Sequence, residues 1–502
     1  MSKRFVIVGG GTAGWLAALM LQDALKRLKR QDAVTVIESS KIPTIGVGEG
    51  TTAVFRQMLS YFGIDEFEFL RETEATIKFG IRHKDWKHVG HSYDGPIDDP
   101  HLVVAQDRNN PPSWLDIFSV AAGRKVADTH LFSYLLDQHK APFAFKNGKP
   151  IAMGPFHHAY HFDQALAGKY LRKKATGVEI IDAQVNGAIR DSASGFITSL
   201  QSDIGNIEGD FFIDCTGFRK SLISKEMGGT WVSYKDQLPV NRAMPFWIDV
   251  KDGEEIPPYT LAWAQKSGWL WSIPTQKRFG CGYVYSDQFL TPDKAQEEIE
   301  TVLGHKIEPR NDLRFDVGRQ DKAWIGNCLA IGLSSSFLEP LEATSIHGTI
   351  VQMMVFTQFH LAKLSDIDRE AYNVFVARQV DDFRDFINLH YVTERRDTPF
   401  WNHVATNCIG ENTKARLKLW QNKMPDRSDF KPLPGGFAHT EQQLHYPVLD
   451  GLGLLNRSIA QAAMNASPDL KRTARANADN LTKEYRAAAP QALGHREFLL
   501  AL

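Results

Sequence analysis

The chain has 502 residues, 43% of them apolar and 23% charged, with a formal net charge of −1 and a sequence pI near 7.0. Such a length allows up to about three domains and a large core, and a near-neutral balance removes any electrostatic reason to expect nucleic acid or an anionic membrane as a partner. No run approaches about 18 uninterrupted apolar residues, so no transmembrane helix is expected, and the scattered Cys215, Cys281, Cys328 and Cys408 read as thiols of a reducing, cytoplasmic compartment.

Lys3 and Arg4 ahead of the apolar residues 5–8 imitate the opening of a signal peptide, but the run breaks at once into glycines. Residues 4–8 instead predict a short buried strand, followed by a glycine turn at 9–14 and an apolar helix from Trp15 to about Arg27. Residues 33–38 predict the second strand, completing a β-α-β unit. Residues 75–82 alternate, with Ile77, Phe79 and Ile81 on one face and Thr76, Lys78 and Gly80 on the other. The Pro-, Asp-, Asn- and His-rich residues 86–115 predict a long irregular excursion, a kind of loop that is usually functional.

Helix is expected again near 160–175, strands near 178–190 and 195–214, and aromatic-rich strands over 260–285. Ile346, Ile350, Met353, Met354, Thr357 and Leu361 mark a helix from Thr344 to about Leu364. The last hundred residues are richer in Ala, Lys, Arg, Asn and Gln, and Ser467-Pro468-Asp469 opens a polar helix to about Ala488. His157, His158 and His161 could suggest a metal, but no carboxylate or cysteine completes a zinc set at the usual spacing. The histidines are read as structural, and no metal site is expected.

Gly9-Gly10-Gly11-Thr12-Ala13-Gly14 fits G-x-G-x-x-G between a strand and a helix. Gly9 permits the tight turn, Gly11 admits a pyrophosphate to the backbone, and Gly14 lets helix and strand pack closely. The helix N-terminus then offers N–H groups to phosphate. Glu38, at the end of the second strand, is placed to accept both hydroxyls of an adenosine ribose. The pattern by itself does not separate NAD from FAD.

Further segments carry a resemblance. Residues 9–15 (GGGTAGW), 43–51 (PTIGVGEGT), 212–218 (FIDCTGF), 269–274 (WLWSIP, a W-x-W-x-I-P signature) and 337–344 (FLEPLEAT) resemble, in order, segments of the flavin-dependent tryptophan halogenases. The resemblance spans roughly residues 4–365. It implies FAD as cofactor, with Gly9, Gly11, Thr12, Ala13, Gly14, Glu38, Val47, Gly48, Glu49, Val185, Asp214, Leu333 and Ile346 around it. It also implies an α/β fold: a doubly wound, Rossmann-like FAD-binding module of the glutathione-reductase type (1–85 and 151–350) with a mainly helical, substrate-covering module (86–150 and 351–502).

In that family, a separate flavin reductase supplies reduced FAD, and dioxygen and halide yield hypohalous acid. The acid travels to a lysine beside the substrate ring, and a glutamate assists loss of the ring proton. The resemblance assigns these two roles to Lys78 and Glu342. In isolation, Lys78 would be a solvated side chain and Glu342 a helix-start acid. Thr344 and Ser345 align with the backbone N–H pair that holds halide, with serine standing where the family typically has glycine, so a different halide geometry is expected. Trp269 and Trp271, two apart on a strand, would with Pro274 wall the flavin off from the substrate, so that released oxidant does the chemistry. The tyrosines and glutamate that hold free tryptophan have no placeable counterpart; residues 435–450 keep only Tyr446. A bare, indole-like aromatic is therefore the expected substrate, with a homodimer an open possibility. A flavin monooxygenase that hydroxylates shares the glycine turn and Glu38 and stands as the alternative.

Overall fold

The computed structural model describes residues 2–42, 46–104, 114–153, 157–430, 433, 439–440 and 442–502. Residues 43–45 of the second glycine-rich segment, 105–113 of the excursion, and 435–438 and 441 of the C-terminal segment compared above lie outside the described residues.

Strand Arg4–Val8 is fully apolar after its first residue and sits in the middle of a six-stranded sheet among the described residues. In spatial order the sheet runs Glu179–Asp182, Ala33–Glu38, Arg4–Val8, Phe211–Asp214, Cys328–Ala330 and Trp324–Ile325, parallel except at the last pair. Both faces are covered, as a parallel sheet of this kind requires. Helix Thr12–Arg27 packs against helices Gln164–Lys174 and Thr344–Val355. The C-terminal ends of the strands bring Val8, Glu38, Asp214 and Ala330 to one edge, where open α/β sheets hold ligands. The expected α/β, doubly wound architecture is present.

A second, seven-stranded sheet orders Leu313–Arg314, Arg242–Asp249, Arg278–Tyr285, Gly268–Pro274, Tyr259–Ala264, Gly80–Lys84 and Ser92–Pro96. A three-stranded sheet, Gly48–Gly50, Ala159–Asp163 and Thr76–Lys78, lies against it. The two approach backbone to backbone: a Cβ on Gly280 would come within 2.7 Å of the Gly48 Cα. Only a glycine pair closes that gap.

Several expectations need correction. Residues 75–82 are not one half-exposed strand. Thr76–Lys78 belongs to the small sheet, the Phe79 N–H turns away to the Pro258 carbonyl (2.8 Å), and Gly80–Lys84 joins the large one. Residues 75–81 are all buried, and the two halves of the segment pair into different sheets. The helix expected from 160 begins four residues later. Ala159–Asp163 is a strand, and Asp163 then caps the helix by accepting from the Ala165 and Leu166 N–H groups. Within the excursion, Ser92–Pro96 pairs with Gly80–Lys84. The first helix starts at Thr12, not Trp15, and the helix from Thr344 is regular to Val355 before a wider turn at Phe356–His360. The polar helix Pro468–Ala488 falls where Ser467-Pro468-Asp469 predicts it.

Candidate active site

At the glycine turn the backbone meets the demands of a dinucleotide. Gly9 has φ 123°, and a Cβ there would lie 2.2 Å from the Cys215 carbonyl oxygen. A Cβ on Gly14 would lie 1.8 Å from the Gly9 carbonyl oxygen, so helix and turn close only on glycine. Above Gly11 a Cβ would meet nothing within 4 Å, leaving the backbone open on the side of the uncapped helix N-terminus. The Thr12 hydroxyl is buried without a partner. An open approach, free helix N–H groups and an unpartnered buried hydroxyl fit a pyrophosphate. Glu38 leans over Gly10 and pairs with Arg172 at 3.2 Å.

The other sequence-predicted flavin residues gather around this edge. The turn Gly332–Ser334, which carries Leu333, touches Ala13: a Cβ on Gly332 would lie 2.7 Å from the Ala13 Cβ. Ile346 is buried in the helix alongside. Val185 begins the strand that follows the sheet's edge strand at Asp182. Val47 accepts from the Gln164 N–H, and Gly48 and Glu49 pair with Asp163 and Phe162. Burial pushes the Glu49 carboxyl up to about 7, while a 2.7 Å bond from the Gln164 amide opposes it. Asp214 is different. Its two oxygens accept from the Thr216 N–H and hydroxyl, the Ser334 hydroxyl, and the Leu222 and Ile223 N–H groups. Five donors exceed the roughly four lone-pair positions of a carboxylate, so Asp214 holds the turn and has no acceptor capacity left for a ligand.

Lys78 is 1% exposed at the end of its strand, and its Nζ donates to the Thr51 carbonyl at 3.0 Å. Burial pulls its pKa down to about 8, with the Glu342 carboxylate pulling the other way. The amine and the carboxylate therefore feel each other's charge inside the protein. His161 faces the same side of Gly50 as the Lys78 amine, and burial and then the Lys78 charge lower its pKa.

Glu342 sits on strained backbone: it and Ala343 are both left-handed (φ 66° and 52°) immediately before the helix Thr344–Val355. Two consecutive non-glycine residues there cost about 1 kcal/mol each or more. The strain turns the carboxylate inward and leaves the helix start without a side-chain cap. Oε1 of Glu342 lies 3.1 Å from His390 Nε2 and 3.3 Å from His83 Nε2. Burial would raise this carboxyl, but the hydrogen bond from His390 leads the contributions that outweigh it and hold it well below the usual carboxylate range. Thr344 is buried, whereas Ser345 is exposed and its carbonyl accepts from the Thr349 hydroxyl.

Trp269 and Trp271 share one face of their strand, with ring centroids 6.5 Å apart, and Pro274 closes it by accepting from the Thr76 hydroxyl. Trp269 donates to Glu339 Oε2 at 2.9 Å, and the Tyr391 hydroxyl donates to the same oxygen at 2.6 Å. Burial pushes the Glu339 carboxyl up to about 7, against those two bonds. The tryptophan face is thus tied to the 337–344 loop that carries Glu342.

Sequence reasoning missed Glu339, His83, His390 and Tyr391. Glu339 lay inside a quoted segment, but the histidines come from a strand and a helix about 300 residues apart with no motif to join them. His83, Glu342 and His390 are the group among the described residues whose donor atoms converge closely enough to hold a metal ion. His158, from the suspected cluster, instead bonds Glu66 at 2.6 Å, and His161 bonds the Thr260 hydroxyl at 2.8 Å. Tyr446 is buried with its hydroxyl donating to the Pro425 carbonyl, so it serves the core.

A profile of the tryptophan halogenase family matches residues 4–463. The chain is 34% identical over 458 residues to the 7-chloro-L-tryptophan 6-halogenase KtzR of Kutzneria sp. (strain 744), covering 85% of this chain and 86% of that one. It resembles the crystal structure of the tryptophan 6-halogenase SttH from Streptomyces toxytricini with a TM-score of 0.89 at 29% identity, covering 100% of each. A flavin-dependent halogenase from Xanthomonas campestris gives 0.86 at 30% identity, covering 100% of this chain and 98% of that one.

Proposed function

The chain belongs to the tryptophan halogenase family and is a flavin-dependent halogenase; from that premise we propose that Lys78 and Glu342 carry halogenation of an indole-like ring. The carrying observation is a buried amine whose pKa the largely enclosed Glu342 carboxylate pulls upward against burial, the two groups lying on strand and loop segments far apart in sequence. The glycine turn, Thr12, Glu38, Val47–Glu49, Val185, Leu333 and Ile346 would hold FAD, with Asp214 supporting the turn beneath it. Bound reduced FAD, with dioxygen, supplies the two-electron oxidation that turns halide into hypohalous acid. Uncapped N–H groups at Thr344 and Ser345 would hold the halide ion.

Lys78 donates a hydrogen bond to the hypohalous oxygen. The ring attacks the halogen, the oxygen–halogen bond breaks, and the leaving hydroxide takes a proton from the Lys78 ammonium and departs as water. Glu342 stabilises the cationic ring adduct and takes the proton from the substituted carbon. Trp269, Trp271 and Pro274 keep the ring from the flavin. A diffusible flavin reductase as electron source, a cytoplasmic location and a homodimer belong to the same reading, as does an open indole-accepting site rather than one built for free tryptophan.

The test is incubation with FAD, a flavin reductase, NADH, indole and bromide or chloride, with products read by mass spectrometry. Halogenated indole is expected, and Lys78→Ala should lose it by about a thousandfold or more while still binding FAD. Hydroxylated product independent of halide would replace the proposal with a monooxygenase.

A further inference from the structure

The histidine contacts of Glu342 contain a proton count. His390 is fully buried, and its Nδ1 lies 2.9 Å from the Phe386 carbonyl oxygen. A carbonyl only accepts, so Nδ1 carries a hydrogen. A neutral His390 would then present a bare Nε2 lone pair to Glu342 Oε1 at 3.1 Å, acceptor against acceptor. The pair is stable only with one proton between those atoms.

His83 is fully buried as well, and neither of its ring nitrogens makes a well-directed hydrogen bond: its 3.3 Å approach to Oε1 is a contact, not a bond. It stacks on Tyr93 at 4.6 Å, with 9° between the rings, and its ring centroid is 4.8 Å from that of His390. Two imidazolium ions at that spacing in a buried site are strongly unfavourable, so His83 is the neutral neighbour. The ionisable groups around Glu342 are Lys78 on one strand, His83 and Tyr93 on two others, and His390 on the helix Asp366–His390; Asp94 acts on His83. A metal ion at Oε1 would displace the proton shared with His390, so the two occupancies exclude each other.

We propose that His390 and Glu342 act as one proton-sharing base, with His390 the positioning residue that keeps the carboxylate ionised and His83 a neutral neighbour. The inference deepens the reading of Glu342 given above and rests on it. Both imidazoles address Oε1, leaving Oε2 for the substrate. The C–H bond at the halogenated carbon breaks, its electron pair restores the ring, and the proton bonds to Oε2. Lys78, left neutral once its proton has gone to the leaving hydroxide, recovers that proton from Glu342, and the Glu342–His390 pair returns to its single shared proton.

The experiment uses wild type, His390→Gln and Glu342→Gln with FAD, a flavin reductase, bromide, and either indole or indole deuterated at carbon 3. Wild type should show an isotope effect near unity, since forming the carbon–halogen bond precedes and limits proton loss. His390→Gln should raise it to about twofold or more and move the acid limb of kcat/KM up by about one pH unit or more, because the carboxylate loses its largest anionic support. A folded variant with unchanged isotope effect and pH profile would reduce His390 to packing. Infrared spectra of wild type against Glu342→Gln provide a readout without turnover. A protonated carboxyl band of Glu342 in wild type between about pH 5 and 9 would overturn the proposal; its absence there supports it. A stoichiometric divalent metal retained by wild type and lost from His390→Gln would also overturn it. If wild type fails to halogenate indole while Glu342 stays ionised in the infrared, the substrate reading fails and the proton-sharing pair stands.

Discussion

At the scale of single residues, burial sets the chemistry. Lys78 has a fully desolvated amine lowered to about 8, opposed by Glu342. Below that pH it is an ammonium that can donate to hypohalous acid; above it the donor is lost. Halogenation per bound flavin should therefore fall as pH rises through about 8, and Lys78→Arg, which keeps a cation across that range, should flatten the decline even where it slows the reaction. A rate that climbs through the same pH would assign the work to the neutral amine. Glu342→Gln should cost about a hundredfold to a thousandfold, by removing the proton acceptor while keeping volume and hydrogen-bonding capacity. Lys78 and Glu342 were nominated in the sequence through their flanking residues, and the proposed site is built on them. His390 and Glu339 were not, because a buried histidine or carboxylate looks like a surface one until its neighbours are known.

At the scale of elements, the site depends on close approaches that glycine permits. Trp271 lies directly across Gly282 on the neighbouring strand, and a Cβ there would stand 2.0 Å from the Trp271 Cη2. Gly282→Ala should therefore push the indole off its position and lower stability by about 1–3 kcal/mol, read as a fall in Tm. An unchanged Tm would show that the tryptophan face is loosely held. The alternating pattern at 75–82 predicted a strand correctly but gave the wrong environment. Period-two alternation reports one wet face, whereas this segment changes sheet at Phe79 and is covered on both sides. Asp163 shows the same limit: its capping of Gln164–Lys174 is a local rule, but the strand ahead of it is defined by partners at residues 48–50 and 76–78.

At the scale of the whole molecule, the end of the chain closes on the site. His495, near the C-terminus, accepts from the Ile77 N–H at 3.1 Å and donates to the Ile256 carbonyl at 2.7 Å, fastening the strand that carries Lys78. Burial lowers its pKa to about 4. The unfolded chain binds a proton at about 6.5 while the folded one resists until about 4, so stability is lost as pH falls through that window. His161, held well below its ordinary value, adds to the same slope. Thermal melts should show Tm dropping between about pH 6.5 and 4. His495→Leu should weaken that dependence yet lower stability at neutral pH by about 2 kcal/mol or more, from the orphaned Ile77 and Ile256 groups. Equal acid sensitivity in wild type and variant would move the effect to other histidines. Segments 86–150 and 351–502 meet through helix Trp114–Ala122 packed on Arg457–Asn465 and Pro468–Ala488.

The sequence by itself determined the cofactor class and the doubly wound module and nominated two side chains for the reaction, because each rests on short-range order: a glycine turn between strand and helix, and compact segments in fixed succession. Tertiary structure alone decided which carboxylates are charged, which imidazoles are neutral and which tyrosine is spent on the core. Those properties come from desolvation and from partners hundreds of residues distant, such as Glu342 with His83 and His390. No local spacing encodes a contact of that kind.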